Sequence, residues 1–284
     1  MRMRAVVPVA LGTVALVAVL AVWSSGLIAL TRNSMVADNS PSAVPVDVEL
    51  VLAVDVSYSM DPEEQQIQRQ GYMEALTSRE FLQALKDGIN GKVALTYFEW
   101  AGAYDQRIII PWRLVEGPES ADAVANEIGA APYRRASRTS IGGALLFAKP
   151  LFDGSGFRGI RRVIDISGDG PNNNGPLSTV ARDEVVASGI TINGLPIMLN
   201  RPNSYNMGDI TNLDQYYEDC VIGGPGAFVI PIREREKFKE AIRTKLVLEI
   251  AGRMPKERVI PAAADAPRVS CAVGERQWQD RWGN

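Results

Sequence analysis

The sequence contains no histidine among its 284 residues. This absence excludes the Ser-His-Asp and Cys-His arrangements in which a histidine activates a nucleophile. It also excludes a zinc ion held by histidine ligands. Any metal ion must therefore be bound by oxygen atoms, which favours Mg²⁺, or alternatively Ca²⁺ or Mn²⁺.

The chain also lacks a strong excess of either charge, since 30 Lys and Arg residues face 33 Asp and Glu residues, for a net charge of −3. Proteins that bind nucleic acid through its phosphates usually carry a clear basic excess or a basic patch. We therefore expect no nucleic-acid partner.

Cysteine is scarce, with Cys220 and Cys271 as the only two in the sequence. An even pair in an exported protein predicts a disulfide, which here would fasten the C-terminal tail to the main domain. The alternative is two unrelated buried thiols.

The N-terminal segment, residues 1–32, differs from the rest of the chain. Arg2 and Arg4 precede an uncharged apolar run over residues 5–23. This pattern predicts a signal peptide or a membrane anchor, because a buried core helix would show a polar face. The two arginines would stay cytoplasmic, so either alternative predicts export of the body to the periplasm or another extracytoplasmic space.

The remaining chain divides by composition into three parts. Residues 33–45 are polar, small and proline-containing, which is typical of a linker. Residues 46–252 form the predicted domain, and residues 253–284 form a tail. The tail is expected to be irregular after Pro261, with Trp278 and Trp282 packing on the body, although a partner-binding tail is an alternative.

Strand and helix patterns alternate along the predicted domain. We expect strands at 46–55, 92–100, 106–115, 161–167, 190–195 and 227–231. We expect helices at 62–71, 77–85, 120–128, 141–152, 177–188, 213–220 and 233–251. Thr77 would begin the second helix in a capping box with Glu80, and Thr139 or Ser140 would cap the fourth. The alternation predicts an α/β fold with a doubly wound, mostly parallel sheet and helices on both faces.

Three polar loops are expected at the sheet edge where open α/β sheets bind ligands, outside the carboxyl ends of the strands. Asp55, Ser57 and Ser59 come directly after the first strand. Thr139 precedes the fourth helix, and Asp169 follows the strand at 161–167. Taken singly, each residue could be an ordinary turn or cap residue. Together they place two carboxylates and three hydroxyls at one sheet edge, which indicates a site for a hard cation.

This constellation resembles the metal-ion-dependent adhesion site of von Willebrand factor A domains. The resemblance rests on the run DVSYSM at 55–60, on a threonine before an Ala/Leu-rich helix, and on Asp169-Gly170 after a strand. The resemblance implies that Asp55, Ser57 and Ser59 are ligands from the first loop. It implies Thr139 as the ligand from the second loop and Asp169 as the carboxylate of the third.

More narrowly, the body resembles a bacterial family of exported von Willebrand factor A-like proteins without an established activity. The stretches that carry this resemblance are YFEWAG (97–102), ISGDGPNNNG (166–175), DCVIGGPGAF (219–228) and KLVLEIAG (245–252). Three positions depart from the usual adhesion-site pattern. Tyr58 stands where glycine is common, Gly168 stands where threonine is frequent, and Arg138 places a positive charge beside Thr139.

The expected function is therefore cation-dependent recognition and not catalysis. A carboxylate from an Asp or Glu of a protein partner would fill an open coordination position on the ion. One alternative is a haloacid-dehalogenase-like phosphatase, but such enzymes need a second carboxylate two residues after the first, where this chain has Ser57. The other is a structural domain with a degenerate metal site.

Overall fold

The computed structural model describes residues 42–199, 210–253 and 267–282. The predicted signal peptide or anchor at 1–32 and all but the last residues of the predicted linker at 33–45 lie outside these ranges. Within the described residues, no helix has the length and apolar character needed to cross a membrane.

Five strands form one sheet in the order β3-β2-β1-β4-β5. Their bounds are β1 Val44–Asp55, β2 Val93–Trp100, β3 Gln106–Val115, β4 Phe157–Gly168 and β5 Thr191–Pro196. Strand β1 pairs in parallel with β2 and β4, and β4 pairs in parallel with β5. Only β3 runs antiparallel, beside β2 at one edge. The predicted mostly parallel sheet is confirmed.

Eight α-helices are described. They are α1 Pro62–Leu76, α2 Arg79–Lys86, α3 Pro118–Ala130, α4 Ile141–Ala148, α5 Ser178–Ala187, α6 Leu213–Tyr216, α7 Phe238–Ala251 and α8 Val273–Trp282. Short helical turns extend α4 and α6 and precede α7. These turns span Lys149–Phe152, Tyr217–Val221 and Arg235–Lys237.

The helices cover both faces of the sheet, and β1 shows how the sequence divides its residues between them. Successive strand residues point to opposite faces. Leu50, Leu52 and Val54 join the core formed with α1, α2, α3 and α7. Val51 and Ala53 join the core formed with α4, α5 and α6. A strand buried on both faces needs a nearly continuous apolar run, which this segment provides.

Two predicted elements differ from the structure in detail. Helix α2 is capped by Ser78 instead of Thr77, because the Ser78 hydroxyl accepts the Phe81 N–H at 3.1 Å. The segment predicted as a last strand at 227–231 forms only isolated bridges, such as Val229 with Gly194. Its Pro231 has no N–H to donate to a ladder, which limits regular pairing there.

The tail prediction was also wrong in part. Residues 273–282 form helix α8 where an irregular segment was expected. The residues around the start of α8 join the second core, since Val269, Cys271 and Val273 pack there. The tail is therefore an integrated part of the fold.

Candidate metal site

The first loop begins where β1 ends. The Asp55 Oδ1 atom accepts the peptide N–H of Ser57 at 2.7 Å, which turns the chain immediately after the strand. Ser57 forms a bridge with Ala136, and the Tyr58 N–H donates to the Ala136 carbonyl at 2.9 Å. The loop is therefore fixed by hydrogen bonds to Asp55 within it and to Ala136 in the neighbouring segment, which together position the Asp55 and Ser57 side chains.

A chain of hydroxyl hydrogen bonds joins the first loop to the third. The hydroxyls of Ser57 and Ser59 lie 2.7 Å apart. The Ser59 hydroxyl donates to Asp169 Oδ1 at 2.6 Å. The structure thus brings together four of the five residues predicted from the sequence, namely Asp55, Ser57, Ser59 and Asp169.

Thr139, the fifth residue, is connected to this cluster through the third loop. Its N–H donates to Asn173 Oδ1 at 2.9 Å, and the Asn173 N–H donates to the Thr139 carbonyl at 2.8 Å. Within the described part of the chain, the hydrogen bonds of Thr139 are made by its main chain. Ser140 is the N-cap of α4, since its hydroxyl accepts the Gly143 N–H at 3.1 Å. The Thr139 hydroxyl is therefore not committed to capping.

Asp55 is a buried carboxyl group whose ionised form is strongly disfavoured. Its side chain is fully buried, and its Oδ2 atom has no hydrogen-bond partner among the described residues. Burial raises the pKa of Asp55 well above its ordinary value, and the nearby Asp169 carboxylate raises it further, while hydrogen bonds from Ser57 act in the opposite direction. Two carboxylates held this close strongly favour a compensating cation.

Gly168 is required by the packing beneath Asp55. A Cβ atom at this position would lie 2.8 Å from the Tyr217 hydroxyl and 2.9 Å from Asp55 Oδ2. This lack of space explains why glycine stands at position 168, where threonine is frequent in adhesion sites. Sequence reasoning missed Tyr217, since no local pattern connects a residue that far along the chain with the first loop.

The amides of the NNN run brace the loops around the site. Asn172 Oδ1 accepts the Gly142 N–H at 3.0 Å, and Asn174 Oδ1 accepts the Ala103 N–H at 2.9 Å. With the Asn173 pair described above, they join the third loop to the second loop and to the β2–β3 turn. These asparagines are thus supports for the site, a role that the sequence motif did not reveal.

The C-terminal tail packs on the same loops. Asn172 Nδ2 donates to Glu275 Oε1 at 2.7 Å, and the Arg138 guanidinium stacks 3.1 Å from the centre of the Trp278 ring. Arg138 has a positive φ of 76°, an uncommon conformation for a residue with a side chain. The positive charge expected beside Thr139 is therefore held against the tail, and Trp278 packs on the body as predicted.

The predicted disulfide between Cys220 and Cys271 is confirmed, with an S–S distance of 2.01 Å. Next to it, Arg268 forms ion pairs with Glu218 at 2.6 Å and Asp219 at 2.7 Å. These contacts fix residues 268–271 of the tail to the π-helical turn that follows α6.

The donor set fits a hard divalent cation. The described residues contain no group of three or more His, Cys, Asp and Glu side chains that could hold a metal ion. A metal at this site would therefore rely on hydroxyls in addition to the two carboxylates. Oxygen donors of this kind suit Mg²⁺, Ca²⁺ and Mn²⁺, and the unpartnered Asp55 oxygen supplies a ligand atom that nothing else satisfies.

The fold and the loop arrangement define a von Willebrand factor A-like domain. Residues 45–254 match the family described as protein of unknown function DUF1194. The match covers well over half of the chain, so the protein belongs to this von Willebrand factor A-like family. No curated protein matches the sequence.

Solved structures with the same fold come from distant proteins. Proximal thread matrix protein 1 of the mussel byssus has 15% identity and a TM-score of 0.54, over 74% of this chain and 49% of that one. A second structure of that protein, with a zinc-occupied MIDAS motif, has 16% identity and a TM-score of 0.51, with the same coverage of 74% and 49%.

The pilus adhesin SpaC of Lactobacillus rhamnosus GG has 12% identity and a TM-score of 0.52, over 72% of this chain and 31% of that one. The chain therefore spans half or less of the length of these solved proteins. At these identities the likeness shows the fold alone.

Proposed function

We propose that the protein is an exported module that binds a protein partner through a divalent cation. The residues that would hold the ion are Asp55, Ser57, Ser59, Thr139 and Asp169. The observation that carries this proposal is the buried pair of Asp55 and Asp169, which Ser57 and Ser59 connect. The Ser57 N–H donates to Asp55, and the two serine hydroxyls continue the chain of hydrogen bonds to Asp169. A bound cation would neutralise both carboxylates and supply an open coordination position to a ligand.

Magnesium is the proposed ion, with calcium and manganese as alternatives. Mg²⁺ is usually held in proteins by one or two carboxylates, with other oxygen atoms completing its octahedron. This site offers two carboxylates and no nitrogen or sulfur ligand. The zinc-occupied motif in the mussel protein supports the general ability of such loops to bind a divalent cation.

An acidic side chain is the proposed contact on the partner. The surface beside the first loop carries Tyr58, which is 60% exposed, and the Arg135 guanidinium lies 5.4 Å from the centre of its ring. Tyr133 is 57% exposed and stacks on Arg69. Tyrosine and arginine are enriched at the centres of protein interfaces. An Asp or Glu carboxylate would bind the cation while arginine attracts the surrounding acidic surface.

The location of the domain outside the cytoplasm is part of the same proposal. The Cys220–Cys271 disulfide supports it, because such bonds persist mainly in oxidising compartments. The N-terminal segment at 1–32 would act as a signal peptide or as a single membrane anchor.

The test is capture of a partner from an envelope extract on the immobilised full-length protein. We expect a captured protein in Mg²⁺ that is lost with EDTA and in Asp55→Ala. The exposed Asp122→Ala variant is the matched control, and it should capture the same protein as the wild type. Capture that persists both in EDTA and in Asp55→Ala would overturn the proposal.

A further inference from the structure

A second group of charges lies inside the domain, on the sheet face covered by α7. Lys245 and Glu249 belong to α7, and Asp165 belongs to β4. Lys245 is fully buried, and the two acids are each 1% exposed. One ammonium group thus faces two carboxyl groups away from water. Burying charged groups in this way costs free energy that their mutual attraction does not always offset.

The contacts of Lys245 with the two acids differ. Its Nζ atom donates to Glu249 Oε1 at 2.6 Å, and Asn193 Nδ2 donates to the same oxygen at 3.1 Å. Nζ also contacts Asp165 Oδ1. However, neither oxygen of Asp165 has a hydrogen-bond partner among the described residues. The Lys245 amine therefore contacts both acids, as an ion pair with Asp165 and through a hydrogen bond with Glu249.

Burial favours the protonated, neutral forms of the two acids, Asp165 and Glu249. Burial raises the pKa of Asp165, although the Lys245 ammonium acts in the opposite direction. Burial and the nearby Asp165 carboxylate raise the pKa of Glu249 to about 7, again against the effect of Lys245. The Phe228 ring lies 5.8 Å from Lys245 Nζ. In a dry site, an amine held against a carboxylic acid, with a second acid beside it to move protons, has the components for amide formation.

We propose that Lys245 Nζ and Asp165 Cγ become joined by an intramolecular isopeptide bond, with Glu249 as the group that transfers protons. Glu249 takes a proton from the Lys245 ammonium, and the amine attacks Cγ of the protonated Asp165. The new C–N bond forms, and a C–O bond of Asp165 breaks. Glu249 returns its proton to the departing oxygen, which leaves as water, and then takes up the second proton of the attacking nitrogen. The atoms therefore balance, with Glu249 protonated at the end, and no oxidant or other reactant is needed.

The bond would tie β4, an inner strand of the sheet, to α7 by a covalent link. A cross-link between distant parts of a chain lowers the conformational entropy of the unfolded state, as a disulfide does. Unlike a disulfide, an amide resists reduction. The cross-link would thus stabilise the sheet that carries the metal-site loops independently of the redox conditions.

The test is the intact mass of the full-length protein after reduction, followed by peptide mapping. We expect the mass to be lower by one water than that calculated for the processed chain. We also expect one branched peptide that contains both Lys245 and Asp165. A wild-type mass without this loss, with Lys245 and Asp165 recovered only in separate linear peptides, would overturn the proposal.

Three variants separate the cross-link from an ordinary ion pair. Lys245→Arg and Glu249→Gln should keep the full calculated mass, because the first lacks the amine and the second lacks the proton carrier. Asp165→Asn would lose ammonia instead of water and reach the same final mass as the cross-linked wild type. Loss of one water in Lys245→Arg would contradict the assignment. The wild-type peptide map remains decisive if a variant does not fold.

Discussion

The Ser59 hydroxyl donates to Asp169 Oδ1 at 2.6 Å across a separation of 110 residues. This contact joins the first and third loops of the candidate site, which follow two neighbouring parallel strands, β1 and β4. The position of Asp169 is therefore set by the sheet. The site is assembled by the fold before any ion arrives, which favours binding without large rearrangement.

Gly168→Ala tests the packing beneath Asp55. The new methyl group would approach the Tyr217 hydroxyl and Asp55 Oδ2 to less than 3 Å. We expect the free energy of unfolding to fall by about 1–3 kcal/mol, as for other overpacked sites, and Mg²⁺ affinity to fall with it. Urea denaturation and calorimetry measure the two effects.

Gly170→Ala is the matched control, since a Cβ there meets nothing within 4 Å. We expect little change in stability or in Mg²⁺ affinity. Equal behaviour of the two variants would show that Asp55 and Tyr217 do not confine position 168.

The disulfide should contribute a large part of the stability of the tail. Cys220 and Cys271 are separated by 51 residues. In the chain-entropy model, closing a loop of this size stabilises the folded state by about 4 kcal/mol. We expect Cys220→Ser/Cys271→Ser to lower the free energy of unfolding by up to this amount, as measured by urea denaturation.

The same double variant should loosen the contact of Arg138 with Trp278. Tryptophan fluorescence quenching by acrylamide should then increase relative to the wild type. Unchanged quenching and unchanged stability would mean that the tail is held by its other contacts.

The buried ion pair of Arg69 and Glu99 should contribute far more to the stability of the fold than an exposed ion pair does. Arg69 and Glu99 lie 2.7 Å apart, with side chains that are 5% and 1% exposed. Arg69→Ala leaves Glu99 buried with one fewer partner, so we expect a loss of about 3 kcal/mol or more.

Arg113→Ala provides the comparison, because the Arg113–Glu127 pair is 41% and 42% exposed. Exposed pairs contribute between about 0 and 1 kcal/mol. Chemical denaturation of both variants measures the free energy of unfolding. Equal losses in the two variants would contradict a larger contribution from the buried pair of Arg69 and Glu99.

Asp55→Asn should change stability in opposite directions with and without metal. Without metal, the amide removes a buried carboxylate that lies near Asp169, so we expect the variant to be more stable than the wild type by about 1 kcal/mol or more. With Mg²⁺, ligand binding stabilises the wild type by about 2.7 kcal/mol at a hundredfold excess over Kd. Thermal denaturation in EDTA and in Mg²⁺ tests this, and an unchanged order in both buffers would argue against it.

Strand β1 could be predicted because it is an apolar run that ends in a polar turn, whereas in β4 only the second half is buried and the predicted strand at 161–167 missed its start. The position of the candidate site followed from the same pattern, since parallel strands end at one edge. Helix α8 was missed because its stability depends on packing against Asn172 and Arg138 and on the disulfide, none of which is local. The Thr77 error arose because Thr77 has the capping-box spacing to Glu80, whereas the neighbouring Ser78 is the residue that caps the helix.

The buried group of Lys245, Asp165 and Glu249 could not be predicted either. Lys245 and Glu249 have the (i, i+4) spacing of an exposed helical ion pair. Only the placement of α7 against β4 shows that both are buried with Asp165. Burial of charge depends on tertiary packing, and a single sequence does not display it.

Isothermal titration of the full-length protein with MgCl₂, after removal of metals with EDTA, tests the central claim most directly. Wild type and Asp122→Ala should each bind one ion, and Asp55→Ala should lose measurable binding. Titrations with Ca²⁺ and Mn²⁺ identify the preferred ion. Binding by Asp55→Ala equal to that of the wild type, or no binding of any of the three ions by the wild type, would contradict the account.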